Sequence, residues 1–158
     1  MLKCEKSKQG SVETFKLSGI VNETFSLDPP ETQELHVFCG GITRINSVGV
    51  KGWIQYFTGV SQMGVKLIFK ECSPLIVEQL NMISNFSCGG TVESIQVPFT
   101  CQKCVCGAGG MSLVAKFSCD ALKKANFQIG AAKCPKGDSQ AVFDDFPEEY
   151  FAFLMRNK

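Results

Sequence analysis

Two rhythms of apolar residues run through the first hundred positions of the chain. The stretches 14–21, 35–42, 65–69 and 91–99 are rich in β-branched and aromatic residues and bounded by Gly, Pro, Asn or Asp, which predicts four strands. Between them the apolar spacing lengthens. Val50, Trp53, Ile54, Phe57 and Val60 follow Ser47 at the i, i+3, i+4, i+7 intervals of an amphipathic helix. Ile76, Val77, Leu80, Ile83 and Phe86 repeat that pattern after Ser73-Pro74, with Ser73 as N-cap and Pro74 as the first helical residue.

The resulting order, β-β-α-β-α-β, requires crossover connections, so the later strands run parallel in a central sheet with helices packed against it. The link 22–34 contains Asp28-Pro29-Pro30, which favours an extended or turn conformation. Cys39, inside an apolar strand, and Cys72, after the apolar 65–69 strand, read as core fillers.

A length of 158 residues gives one main fold with room for a small appended module. With 44% hydrophobic and 20% charged residues the chain is neither disordered nor low-complexity. The formal charge of +1 gives no whole-chain field to attract nucleic acid or an anionic membrane, so any charge-driven contact is local. Residues 1–100 carry 8 basic and 9 acidic side chains, whereas 101–136 carry six lysines against the single Asp120. Five of the nine cysteines also fall in that later region, and together these shifts divide the chain into 1–99 and 100–158.

The longest stretches without a charge, 52–65 and 79–92, are 14 residues each, short of the ~20 that a membrane-spanning helix needs. The lysines of MLKCEKSKQG precede no apolar run, so a secretory signal is not expected and the expected location is the cytoplasm. There the cysteines stay reduced, as buried residues, metal ligands or redox groups. The Asp145/Glu148 spacing opens a short C-terminal helix whose Tyr150, Phe151, Phe153 and Leu154 are too apolar for water and are expected to dock on the sheet, with an intermolecular contact as the alternative.

At Ile42-Thr43-Arg44-Ile45-Asn46-Ser47-Val48-Gly49-Val50 the chain resembles the signature of STAS domains, the family named for sulfate transporters and anti-sigma-factor antagonists. In that family an apolar strand leads into Asp-Ser-Ser/Thr-Gly-Leu and then a helix. The resemblance covers about residues 10–99, and the second helix, from Cys72-Ser73-Pro74 on, looks like a bacterial subgroup with a C-terminal cysteine ribbon. It implies an α/β fold: a mixed four-stranded sheet with helices on one side, plus a small cysteine-rich β ribbon and a terminal helix. It also implies a protein partner, a GHKL-type kinase or a signalling complex, docking around Asn46, Ser47 and Gly49 and displaced when the serine is phosphorylated. Asn46 stands where the family has Asp, and Val48 replaces its second hydroxyl residue, leaving Ser47 as the motif's one acceptor.

Free backbone N–H groups and the helix dipole at such a strand-to-helix turn favour negative charge, so a phosphate on Ser47 is stabilised there. The alternative is that Asn46 or Ser47 simply caps the helix.

Cys101-Gln102-Lys103-Cys104 has the two-residue spacing of half a zinc site, and Cys134-Pro135-Lys136-Gly137 resembles a second knuckle whose last cysteine has become Gly137. Candidates for the fourth ligand of one structural zinc are Cys106, Cys119 and Asp138. Alternatively, zinc has been lost and a small antiparallel sheet remains under the C-terminal helix. A thioredoxin-type redox reading of the same CxxC requires a helix after it, and Val105-Cys106-Gly107-Ala108-Gly109-Gly110 is a poor helix start. The lysines of this segment offer phosphate contacts to a nucleic acid, without the interleaved aromatics of a binding face. No phosphate-binding loop, dinucleotide fingerprint or nucleophile elbow is present, and His36, the one histidine, lies in a predicted strand as a packed residue. The reading is a non-enzymatic regulatory or adaptor protein; a nucleic-acid-associated ribbon and a thiol redox protein are the alternatives.

Overall fold

The computed structural model describes residues 2–101, 111–130, 132–133, 140–143 and 146–156. It is a mixed α/β structure built on two sheets. The first has five strands in the order β1 (Lys3–Gln9), β2 (Val12–Val21), β3 (Glu34–Ile45), β4 (Lys66–Lys70) and β5 (Thr91–Val92). The β1–β2 pair is antiparallel and every later pair is parallel. Helix α1 (Ser47–Gln62) connects β3 to β4, and α2 (Pro74–Met82) follows β4.

One face of this sheet is apolar and the other is open. Phe15, Leu17, Val37, Cys39, Leu67 and Phe69 alternate onto the buried face, where Trp53 and Phe57 of α1 pack on Phe69. The link after β2 lies on the same side, with the Phe25 ring 6.3 Å from that of Trp53. Two exposed ion pairs, Lys6–Asp28 at 2.7 Å and Lys8–Glu31 at 2.8 Å, fasten the link to β1. Period-two alternation sends Thr14, Lys16, His36 and Phe38 to the open face. His36 is therefore half-buried on the open face rather than packed in the core, and its Nε2 lies 2.7 Å from Glu34 Oε2.

The expected four-stranded sheet has five strands because β1 adds to its edge. Its sequence, KCEKSKQ, has no apolar alternation, and it pairs with β2 through the Gly10-Ser11 turn, where Gly10 has φ +63°. A lysine-rich strand is suited to an edge, where charge discourages pairing with other chains.

The single strand expected over 91–99 is divided at Glu93. Thr91–Val92 closes the first sheet, and Ser94–Cys101 (β6) enters a second, antiparallel sheet with β7 (Met111–Ser118), β8 (Ala132–Lys133) and β9 (Gln140–Phe143), ordered β7-β6-β9-β8. The division drawn between 99 and 100 thus runs through β6. Helix α3 (Cys119–Lys124) follows β7, and α4 (Pro147–Tyr150) and α5 (Ala152–Arg156) close the described chain.

The C-terminal aromatics dock as expected: Tyr150, Phe151, Phe153 and Leu154 are all buried. Tyr150 Oη donates to the Gln96 carbonyl at 2.6 Å, and the Asn81 amide bonds both the Tyr150 carbonyl and the Phe153 N–H. Among the described residues no helix is long and apolar enough to cross a membrane.

Candidate functional site

The segment between β3 and α1 folds as a capped helix start. Asn46 has extended backbone angles, and its Oδ1 accepts from the Gly49 N–H at 2.7 Å, so one orphan donor of the first turn is satisfied. Its Nδ2 donates to Glu23 Oε2 at 3.1 Å, and its N–H donates to the Val21 carbonyl at 3.1 Å. Of the two capping candidates, Asn46 is the cap. Glu23, which no motif singled out, is placed here by the Asn22 turn; a bond from its own backbone N–H and then the Asn46 amide hold its carboxyl below the usual range.

Ser47 is the first residue of α1 and is exposed, and its hydroxyl makes no hydrogen bond among the described residues. Val48 beside it is 54% exposed. Gly49 is buried against the end of β2: a Cβ on it would lie 2.2 Å from the Val21 carbonyl oxygen. The three motif residues thus have separate tasks, with Asn46 holding the turn, Gly49 admitting the close approach of helix and strand, and Ser47 left facing solvent.

Asn46→Ala is expected to lower stability by about 1 kcal/mol through loss of the cap, whereas Asn46→Asp keeps it. Urea unfolding of the two variants beside wild type measures this, and equal midpoints for wild type and Asn46→Ala would show that the turn is held by its backbone alone.

Cys104, Cys106, Cys134 and Asp138 lie outside the described residues, and Cys101 ends β6. Cys119 lies apart from Cys101: β6 and β7 pair Cys101 with Met111 and Ser94 with Ser118, placing Cys119 at the far end of the hairpin. Seven steps along the strand separate the two ends, about 23 Å at ~3.3 Å per residue. Cys119 is buried instead, and burial, with the nearby Cys72 adding to it, pushes its thiol pKa up to about 12. Among the described residues no three His, Cys, Asp or Glu side chains are grouped to hold a metal ion.

Two of the lysines considered for phosphate contact have carboxylate neighbours: Lys116 Nζ lies 2.6 Å from Glu71 Oε1 and Lys124 Nζ 3.2 Å from Asp120 Oδ2. The first pair borders a shallow groove on the open sheet face, with Lys16 and Phe38 along it. Sequence spacing could not have found this groove, because its residues come from five strands, β1, β2, β3, β6 and β7, and the turn at Glu71.

No family model matches this chain, and no curated protein matches it either. The site therefore rests on its own geometry.

Proposed function

We propose that the chain is a non-enzymatic regulatory adaptor that docks a protein partner, a kinase or a component of a signalling complex, around the start of α1. Phosphorylation of Ser47 is the switch. The observation that carries this reading is the unspent Ser47 hydroxyl: Asn46 already caps the helix, so an exposed serine beside exposed Val48 has no structural task within the described chain. A STAS-like assignment of the first sheet draws support from its parallel β2-β3-β4-β5 core and from α1 opening directly after the motif.

A phosphate on Ser47 adds about −1.5 to −2 charges at a helix start, where free N–H groups stabilise it, and the same charge opposes an apolar partner face seated on Val48. Addition there leaves the core untouched, so the change is confined to the docking surface.

Two measurements test the proposal. Incubation of the purified chain with ATP and native cell extract, followed by peptide mapping, is expected to give phosphoserine at Ser47. Affinity purification with wild type, Ser47→Ala and Ser47→Glu is expected to retain a kinase-like partner with the first two and lose it with the third, while circular dichroism confirms that all three are folded. An identical partner set for folded Ser47→Glu, with no phosphate on Ser47 in the extract, would reduce Ser47 to an exposed helix residue.

A further inference from the structure

We propose that Cys39 and Cys72 are the site of a reversible disulfide, formed with a peroxide as oxidant, that latches the seam between the two sheets. The two thiols lie 33 residues apart in sequence, yet Cys39 Sγ donates to Cys72 Sγ at 3.3 Å, and both side chains are fully buried.

Two backbone irregularities produce this approach. Between the Lys16–Phe38 and Ser18–Gly41 pairs, one residue of β2 faces two of β3, Cys39 and Gly40, so the strand bulges at the cysteine. Bulges re-aim side chains in this way. On the other side, β4 leaves the sheet after Lys70 through Glu71, which has φ +52°, a left-handed conformation that a residue with a Cβ adopts only at a cost. The Glu71 N–H is held by Ser94 Oγ at 2.8 Å, and this turn delivers Cys72 beneath Cys39. A pair of cysteines that merely filled space would require neither device.

Cys72 is also where the sheets meet. Its N–H donates to the Ser94 carbonyl at 3.2 Å, and its carbonyl accepts from the Gln96 N–H at 2.8 Å, so it bridges to β6 of the second sheet at Ile95. A bond from Cys72 to Cys39 would anchor that bridge covalently to the middle of the first sheet.

The chemistry balances with hydrogen peroxide. One thiol, as its thiolate, attacks a peroxide oxygen; the O–O bond breaks, a sulfenic acid forms, and the departing hydroxide takes up the thiol proton as water. The second sulfur, losing its proton, then attacks the first. The S–S bond forms, the S–O bond breaks, and a second water leaves; two electrons have passed from the sulfurs to the peroxide. The hydrogen bond shared with Cys39, and then burial, keep the Cys72 thiol protonated well above the usual range, so the reaction proceeds through brief openings of the turn and is slow compared with that of exposed thiols.

The test uses the full reduced chain, treated with hydrogen peroxide, unfolded, alkylated to block remaining thiols, and mapped by mass spectrometry. The expected product is a Cys39–Cys72 linked peptide two hydrogens lighter than its parts, lost on treatment with dithiothreitol. The oxidised chain is also expected to melt several degrees above the reduced one, and Cys39→Ala to abolish that rise. Should Cys39→Ala not fold, the wild-type map decides alone. Full alkylation of Cys39 and Cys72 while Cys4 is oxidised would overturn the proposal, as would linkage of either residue to a different cysteine.

Discussion

Gly49→Ala is expected to lower the folding stability of the chain by about 3 kcal/mol, at the upper end of the cost of overpacking a tight contact. The added Cβ would stand 2.2 Å from the Val21 carbonyl oxygen and 2.5 Å from its carbon, and both are backbone atoms that cannot rotate away. Relief requires α1 to lift from the end of β2, which stretches the Asn46–Val21 hydrogen bond and disturbs the turn that presents Ser47. Gly59 supplies the control. It lies in the same helix with nothing within 4 Å of a Cβ, so Gly59→Ala is expected to gain about 0.5–1 kcal/mol from helix propensity. Urea unfolding monitored by circular dichroism gives both numbers. Similar midpoints for the two variants would show that the helix start is not pressed against the strand.

Much of the first sheet was legible because its elements bury one face each. The helix from Ser47 is seen as α1, and Ser73 caps α2 with Pro74 in the first turn, as the Ser-Pro pair implies. Helices that must cover an apolar sheet carry their period in the sequence; an edge strand held by its partner's backbone carries none, and β1 was missed for that reason. The division of 91–99 did leave a trace. Val92 and Ile95 are three apart, which breaks the two-residue alternation that Ile95, Val97 and Phe99 then resume. A phase slip of this kind marks a change of partner sheet, since one continuous strand cannot turn both Val92 and Ile95 to the same face.

At the helix start, the motif gave the residues but not how they share the work. Whether Asn46 or Ser47 caps depends on a side-chain rotamer, and Asn46 is favoured because Glu23 and Val21 hold it from the strand side. Glu23 itself sits 23 positions upstream, beyond any local spacing rule. The Cys39–Cys72 contact was illegible for a similar reason. Cys39 sits in an apolar strand, whereas Cys72 stands between Glu71 and Ser73, and only a bulge in one strand and a left-handed residue after another bring their sulfurs together.

Trp53→Ala is expected to have the largest effect on stability of any single substitution in α1, a loss of about 3–5 kcal/mol. Trp53 is fully buried at the meeting point of helix, sheet and the segment after α2. Its ring lies 5.2 Å from that of Phe86 with only 7° between planes, 4.7 Å from Phe57 and 5.8 Å from Phe69. The indole Nε1–H also donates to the Phe86 carbonyl at 3.3 Å, so truncation leaves that carbonyl with the Cys88 thiol as its remaining donor as well as opening a cavity. Trp53→Phe separates the two contributions. It keeps most of the aromatic contact and removes the donor, and is expected to cost about 1–2 kcal/mol, from the lost hydrogen bond together with the smaller ring. Since Trp53 is the only tryptophan in the chain, its fluorescence reports unfolding of wild type but not of either variant, and circular dichroism serves for all three. A loss below about 1 kcal/mol for Trp53→Ala would mean that the surrounding rings collapse into the vacated space, and that the sheet and α1 are held together chiefly by the contacts of Phe57 and Val60.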